Sequence, residues 1–219
     1  MTAIIYVEGP SDQKALQALL RPIIEEGRRN GIGISFSPKG SKDRILGEVP
    51  RTAANHLKQK PDDWVFALPD LYPFSTTGAH KHGSFDEMAQ RLRSKFEACA
   101  GEVGLSGSAL RHFRVHCLKH DLEALLLATP SKLSERLKTK DKLRDWWRQP
   151  VEDQNGNEPP KRVVQKLFTQ YRGRKYEETV DAVWILERAD LAAVEAACKD
   201  HFRPFVEELR AIVAGREPA

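Results

Sequence analysis

The first third of the sequence alternates short apolar runs with amphipathic segments, and this pattern restricts the possible folds most strongly. Apolar, largely β-branched or aromatic runs occupy residues 3–7, 32–37 and 64–68, and each reads as a buried strand. Between them, apolar residues recur at helical spacing over residues 12–28 and 42–57. Because strands joined through helices pair in parallel, the sequence predicts an α/β fold with a mainly parallel sheet flanked by helices.

The remaining pattern is increasingly helical. Three more elements are predicted before Pro130: a helix over 85–103, a strand over 113–118 and a short helix over 120–127. From Pro130 onward the spacing is helical throughout, apart from a polar break over 152–160. We therefore expect an α/β domain over residues 1–128 and a helical extension, packed on it, over 129–219.

Composition favours a globular protein outside the membrane. Hydrophobic residues make up 40% of the 219 residues and charged residues 30%, which is enough for a core and too polar for a membrane protein. The opening segment lacks a basic start, and no run nears the 18 or so apolar residues of a membrane span. Three widely separated cysteines form no disulfide framework. These features predict a cytoplasmic location and no membrane partner.

Two acidic residues follow predicted strands. Glu8 comes directly after the first strand, and Asp70 follows the third. In an open parallel sheet, ligands bind at the carboxyl ends of the strands, so these two carboxylates are expected to meet at one edge. Mg²⁺ prefers a few carboxylates plus water, and phosphoryl transfer uses such an ion. Glu8 followed by Gly9 is a weak signal alone, and the later strand ending in Asp70 strengthens it.

The first of these segments resembles a known superfamily. Residues 7–12 read VEGPSD and look like the first motif of the Toprim domain, which topoisomerases, bacterial primases and overcoming-lysogenization-defect nucleases share. The resemblance implies that Glu8 acts as general acid or base and that Asp70 binds Mg²⁺, or Mn²⁺ in its place. It also implies a Toprim-like sheet with helices on both faces.

Three further segments resemble one Toprim-like branch of unknown function that is often encoded beside ATPases in phage-defence loci. They are Asp-Leu-Tyr at 70–72, His-Asp-Leu-Glu-Ala-Leu-Leu at 120–126 and Glu-Pro-Pro-Lys-Arg at 158–162. This resemblance implies a role in phage defence and a separately encoded ATPase partner. Two positions depart from the pattern: Tyr72 stands where other Toprim domains have a second Asp, and Pro160 replaces a Ser.

A replacement for the missing carboxylate is sought in the segment from His120 to Glu123. If a helix begins at His120, then His120 and Glu123 lie three residues apart on one face, and Asp121 points elsewhere. The alternative is that the acidic residues favour a helix N-terminus and that His120 is a cap. With the resemblance, Glu123 is favoured as functional, and the role of His120 stays open.

The charge distribution suggests a second functional surface. Residues 132–175 carry 13 Lys or Arg against 6 Asp or Glu, whereas residues 176–219 carry 5 against 10. Cations with aromatic neighbours suit a nucleic-acid backbone and unstacked bases. The candidate nucleic-acid contacts are Lys161, Arg162, Arg174 and Lys175. A solvated helix end is the equal alternative. Trp146 and Trp147 point in different directions on a helix, so one is expected in the core.

These observations together predict a Mg²⁺-dependent, Toprim-like nuclease that cleaves phosphodiester bonds in DNA or RNA. The predicted catalytic residues are Glu8, Asp70 and Glu123, and the predicted metal ligands are Glu8, Asp12, Asp70 and Glu123. The alternative is a noncatalytic subunit that binds nucleic acid or an ATPase through a degenerate Toprim site. Primase or topoisomerase activity fits less well, because the chain is short and no zinc-binding module is evident.

Overall fold

The protein is described by a computed structural model that covers residues 1–74, 80–155 and 158–218. Within these ranges, four strands form one sheet: β1 (Thr2–Val7), β2 (Gly33–Pro38), β3 (Trp64–Ala67) and β4 (Phe113–Val115). Their order is β2-β1-β3-β4, and every neighbouring pair is parallel. The predicted α/β fold with a parallel sheet is therefore confirmed.

Helices cover both faces of this sheet and make up most of the remaining described residues. They are α1 (Pro10–Leu19), α2 (Arg21–Arg29), α3 (Lys42–Gln59), α4 (Phe85–Val103), α5 (Glu123–Leu127), α6 (Pro130–Leu137), α7 (Pro160–Arg172), α8 (Val183–Glu187), α9 (Leu191–Ala197) and α10 (Phe202–Val213). Short 3₁₀ turns cover Gly107–His112, Leu143–Trp146 and Val151–Asp153, and a π turn covers Glu178–Ala182.

Two predicted elements differ from the structure. The helix expected over 12–28 is two helices that meet at Leu20, because Pro22 supplies no backbone N–H and restricts the residue before it. The strand expected over 113–118 ends at Val115, although Leu118 still pairs with Asp70 in an isolated parallel bridge. The composition of residues 71–84 predicts a loop, and residues 75–79 of it lie outside the described residues.

Alternation along the strands builds a core on each face of the sheet. In β1, Ala3, Ile5 and Val7 pack into one hydrophobic cluster, whereas Tyr6 packs into the other with residues of α3 and α4. The first cluster continues into the C-terminal helices, where Phe168 of α7 and Phe205 of α10 are fully buried. A continuous core therefore crosses the predicted boundary after residue 128, and it holds α7 firmly beside the sheet.

The structure also bears on the membrane and on the thiols. Among the described residues, no helix combines the length and the apolarity needed to cross a membrane. Cys99, Cys117 and Cys198 are free thiols. Burial raises the pKa of the Cys117 thiol, which lies 3.4 Å from Nδ1 of His201. Cys117 is therefore an unreactive core residue.

Candidate functional site

The sheet reverses its direction of winding between β1 and β3. The chain passes from β1 to β2 on one side and reaches β3 and β4 on the other, so the carboxyl ends of β1 and β3 flank a topological switch point. Glu8 follows β1 and Asp70 follows β3. The backbone N–H of Asp70 donates to Oε1 of Glu8 at 3.0 Å. The structure thus brings these two predicted site residues together at the edge where ligands bind in such sheets.

A cavity of about 760 Å³ opens at this edge, and we call it the switch-point cavity. Carboxylates, cations and aromatic rings share its wall, which includes Glu8, Asp70, Asp121, Lys42, Lys161, Tyr72, Phe74, His120 and Asn155. Carboxylates and ammonium groups on one concave wall provide ligands for a hard cation and donors for a phosphate.

The carboxylates of this region carry strongly perturbed pKa values. Burial raises the pKa of Glu123 to about 8 and that of Asp121 to about 6, and their neighbouring negative charges contribute to both shifts. Burial, together with the charges of Glu8, Asp12, Asp121 and Glu123, raises the pKa of Asp70 well above its usual range. The pKa of Glu8 is raised by burial, although the hydrogen bond from Asp70 opposes the shift. The chain's own cations therefore leave this acidic cluster incompletely neutralised.

Two carboxylate oxygens in the cluster lack partners. Oδ1 of Asp121 and Oε1 of Glu123 are buried and receive no hydrogen bond within the described part of the chain. Buried polar atoms are normally satisfied, so such oxygens call for a ligand, a water or a proton. In the same residues, no three carboxylate, imidazole or thiol side chains converge closely enough to form a ready-made metal site.

The segment from His120 to Glu123 differs from the prediction. Helix α5 begins at Glu123, so His120 and Glu123 do not share a helical face. The chain turns before the helix, and Asp121 lines the cavity instead of pointing elsewhere, which corrects the prediction for that residue. Glu123 is 2% exposed and lies beneath the cavity wall.

His120 has a positioning role in this arrangement. Its ring stacks on Tyr72 with centroids 4.7 Å apart, and its Nε2 lies 3.1 Å from the backbone oxygen of Glu152. Burial lowers the pKa of His120 to about 4, so the ring is neutral at pH 7 and donates to that oxygen. His120 thus fixes Tyr72, the residue that stands in place of the second Asp, against the cavity wall.

Asp12 is used at the start of α1. Its Oδ2 accepts the backbone N–H of Gly9 at 2.8 Å, and Gly9 is the N-cap residue of α1. Burial raises the pKa of Asp12, and Glu178 adds to this shift whereas Lys161 opposes it. Asp12 contributes negative charge to the cluster while it holds the backbone that follows Glu8.

Sequence reasoning missed Lys42, the first residue of α3. Its ammonium group donates to the backbone oxygens of Leu71 at 2.7 Å and Pro73 at 2.8 Å, which fixes the chain after Asp70. Burial lowers the pKa of Lys42, and the carboxylates of Glu8 and Asp70 oppose this shift. A lysine in the first turn of a helix opposes the macrodipole, and that signal was present in the sequence.

The four predicted nucleic-acid contacts lie in different surroundings. Lys161 lines the switch-point cavity and pairs with Glu178. Arg162 is exposed on α7, and Lys175 is exposed just after it. Arg174 instead donates from both terminal nitrogens to the carboxylate of Asp181, at 2.8 and 2.7 Å. The structure thus brings only Lys161 of these four to the cavity wall and places Arg174 in an internal ion pair.

The acidic cluster predicts how metal-free stability depends on pH. Glu123 binds its proton more tightly in the native state than in the unfolded state, so its contribution to stability is present at low pH. That contribution is lost as the pH rises from about 4.5 to about 8. We expect the Tm in EDTA to fall over this range and to fall less in Glu123→Gln. Thermal melts at a series of pH values test this, and Glu48→Gln, which changes an exposed carboxylate, is the control. If the Tm of Glu123→Gln falls with pH as steeply as the Tm of Glu48→Gln, the prediction is wrong.

Comparison with known proteins gives a family and distant structural relatives. The C-terminal region of the Xanthomonas campestris pv. campestris OLD protein aligns at 14% identity and a TM-score of 0.49, over 97% of this chain and 95% of that one. The corresponding region of the Burkholderia pseudomallei OLD protein aligns at 16% and 0.46, over 96% and 98%. None of the curated proteins matches significantly. The family described as "Domain of unknown function (DUF4276)" matches residues 7–210, and the chain belongs to this family.

Proposed function

We propose that the switch-point cavity is the active site of a metal-dependent, Toprim-like nuclease that cleaves phosphodiester bonds in DNA or RNA. The observation that carries the proposal is the meeting of Glu8 and Asp70 at the switch point, on one wall with Lys42 and Lys161. The motif at residues 7–12 supports the Toprim assignment. By the same resemblance, the proposal includes a role in phage defence, an ATPase partner and a cytoplasmic location.

The donor chemistry of the cavity fits Mg²⁺ or Mn²⁺. Glu8, Asp70 and Asp121 present carboxylate oxygens, and the orphaned Oδ1 of Asp121 lacks any other partner among the described residues. Mg²⁺ usually keeps several waters and takes only one or two protein carboxylates, and the cavity wall supplies that number. Asp70 and Asp121 are proposed as its ligands, and the ion supplies charge neutralisation for the phosphate. Glu8 and Asp12 complete the negative surroundings, and Glu123 lies behind them.

The chain's own residues then serve hydrolysis in distinct ways. Glu8 lies on the cavity wall and burial raises the pKa of its carboxyl, so it is proposed as the general acid or base. Lys161 and Lys42 place ammonium groups on the same wall, where they can stabilise negative charge that develops on the phosphate. Water attacks phosphorus and gives up a proton to the general base, the bond to the leaving oxygen breaks, and that oxygen takes up a proton.

The second candidate is a noncatalytic subunit that binds nucleic acid or an ATPase. The substitution of Tyr72 for the second Asp favours it, because a phenol replaces a carboxylate on the cavity wall. The stacking of His120 on Tyr72 makes this ring a built part of the wall. The two candidates differ in one respect that can be measured, which is turnover.

Cleavage of labelled single-stranded DNA, double-stranded DNA and RNA tests the proposal. We expect products with Mg²⁺ or Mn²⁺ and none in EDTA. Glu8→Gln is expected to lower the rate about a hundredfold, the usual contribution of a general acid or base. Glu48→Gln removes an exposed carboxylate of α3 that pairs with Arg44, and it serves as the matched control. Two outcomes contradict the proposed site. The first is cleavage by the wild-type protein in EDTA, and the second is cleavage by Glu8→Gln at the wild-type rate.

A further inference from the structure

Trp146 is more exposed than the adjacent Trp147. It ends the 3₁₀ turn Leu143–Trp146 and is 36% exposed, whereas Trp147 is 6% exposed. The ring of Tyr171 contacts Trp146 edge to face with centroids 6.2 Å apart, and the hydroxyl of Tyr171 donates to Asp141 at 2.7 Å. Trp146 is therefore an aromatic surface fixed in place by α7, and the neighbouring Trp147 is the one in the core.

Trp146 lies on a continuous series of concave surfaces that begins at the switch-point cavity. Asn155 borders that cavity and also a second groove of about 690 Å³. Trp146 borders the second groove and also a third, of about 410 Å³, which follows the exposed face of α7. We call the second and third grooves together the α7 track. The track connects Trp146 with the carboxylates at the strand ends without crossing the core.

The third groove is the cationic part of the α7 track. Helix α7 contains four Lys or Arg and no Asp or Glu. Its groove is lined by cationic and hydrogen-bonding side chains together with Trp146: Arg162, Gln165, Lys166, Thr169 and Gln170. In the second groove, Asp153 pairs with Lys119 at 2.7 Å and Glu158 pairs with Lys166. Two of the three carboxylates along that groove are therefore paired with lysines, one of which is Lys166 of α7, so the second groove carries little net charge.

We infer that the α7 track binds a single strand of DNA or RNA and leads it to the switch-point cavity, with a base stacked on Trp146. An exposed aromatic ring beside cations is how proteins hold unstacked bases, and a duplex keeps the faces of its bases covered. The polar face of α7 then contacts the sugar-phosphate backbone. This inference rests on the proposed function, because it assigns the form of the substrate to that active site.

The test measures binding without cleavage. Fluorescence anisotropy in EDTA follows fluorescein-labelled single strands of about 16 nucleotides, as DNA and as RNA, and the matching DNA duplex. Trp146→Ala is expected to weaken single-strand binding about tenfold, within the range that base stacking contributes. Trp146→Phe keeps a stacking ring and retains most of the affinity. Leu110→Ala removes a side chain that is 37% exposed elsewhere and leaves affinity unchanged.

Several outcomes overturn the inference. They are wild-type protein that binds no single strand, unchanged single-strand affinity in Trp146→Ala, and a loss that is as large for the duplex as for the single strand. Circular dichroism and Tm of each variant identify a folding defect, and Trp146→Phe still tests the ring if Trp146→Ala is unstable. The cleavage assay separates the two proposals. If the protein cleaves nucleic acid but Trp146→Ala binds single strands as tightly as wild type, only the binding role of the α7 track is refuted. If the variants bind as expected but the wild-type protein does not cleave, only the nuclease proposal is refuted.

Discussion

Asp70→Asn is expected to lower the rate of metal-dependent cleavage about a thousandfold, which abolishes it in practice. The metal-free variant is expected to be at least as stable as the wild-type protein. A neutral amide keeps the size of the carboxylate but removes the charge that holds a dication, and this charge contributes several kcal/mol to the transition state. Asp70 is half-buried, and Glu8, Asp12, Asp121 and Glu123 raise its pKa. Removing one charge from this cluster relieves repulsion between carboxylates.

Two measurements check this expectation. Cleavage rates with Mg²⁺ give the catalytic effect, and thermal melts with and without Mg²⁺ give the metal-induced rise in Tm, which should shrink in Asp70→Asn. Glu48→Gln is the control, because Glu48 is an exposed carboxylate of α3 that pairs with Arg44. A noncatalytic subunit has no turnover to lose. If Asp70→Asn cleaves at the same rate as wild type, Asp70 is not a metal ligand and the proposed site is wrong.

The architecture of the sheet could be predicted because it depends on short-range patterns. Apolar runs separated by amphipathic helices predict that β1, β2 and β3 are parallel, and the acidic residue after each of two strands then indicates the candidate site. The hydrogen bond from Asp70 to Glu8 follows from this topology, since the two strands are neighbours. The sequence predicted that Glu8 and Asp70 meet at one edge, whereas the strand order that makes β1 and β3 neighbours is a finding of the structure.

The start of α5 could not be placed from the sequence, and the sequence analysis therefore left Asp121 out of the candidate site. A helix that begins at His120 puts Asp121 on another face, but the chain turns first and Asp121 lines the cavity. Helix ends are decided by local hydrogen bonds and packing that periodicity does not report. Here the stacking of His120 on Tyr72, a contact between segments about 50 residues apart, takes His120 out of the helix.

The basic stretch shows a second limit of the sequence. Arg162 and Arg174 look alike as exposed cations near aromatic residues, yet Arg174 lies over the ring of Phe168 and pairs with Asp181. Asp181 belongs to the π turn Glu178–Ala182, in the segment that the sequence showed only as acidic. Charge counts over a window cannot tell an internal ion pair from a surface, because the pairing depends on how α7 packs against the residues after it.

Asp181→Ala is expected to produce the largest loss of stability of any change considered, about 3 to 5 kcal/mol in the free energy of unfolding, the usual cost of breaking a buried ion pair. The Asp181 side chain is fully buried and accepts from Arg136 at 2.8 Å, from Arg174 and from the backbone N–H of Glu177 at 2.9 Å. Its removal leaves two guanidinium groups without their shared carboxylate. Arg136 on α6 and Arg174 after α7 then lose the group that joins them.

The pH dependence of this ion pair gives a second, independent reading. Burial alone raises the pKa of Asp181, but hydrogen bonds from Arg174, Glu177 and Arg136 outweigh it, and the net pKa is lowered. A lowered pKa means that the stabilisation is present at neutral pH and is lost as the pH falls through the native pKa. We therefore expect urea denaturation curves of wild type and Asp181→Ala to differ most at pH 7 and to approach each other in acid.

The control for this prediction is Glu187→Ala, which removes a surface carboxylate that is 40% exposed and pairs with Arg188 and Arg21. Exposed pairs contribute about 0 to 1 kcal/mol, so this variant should unfold nearly like wild type. Arg174→Gln should likewise lower stability, because it breaks the same pair from the other side. If Asp181→Ala loses no more stability than Glu187→Ala, the internal ion pair does not hold this part of the fold together. If Arg174→Gln then flattens the salt dependence of nucleic-acid binding, Arg174 contacts phosphate instead.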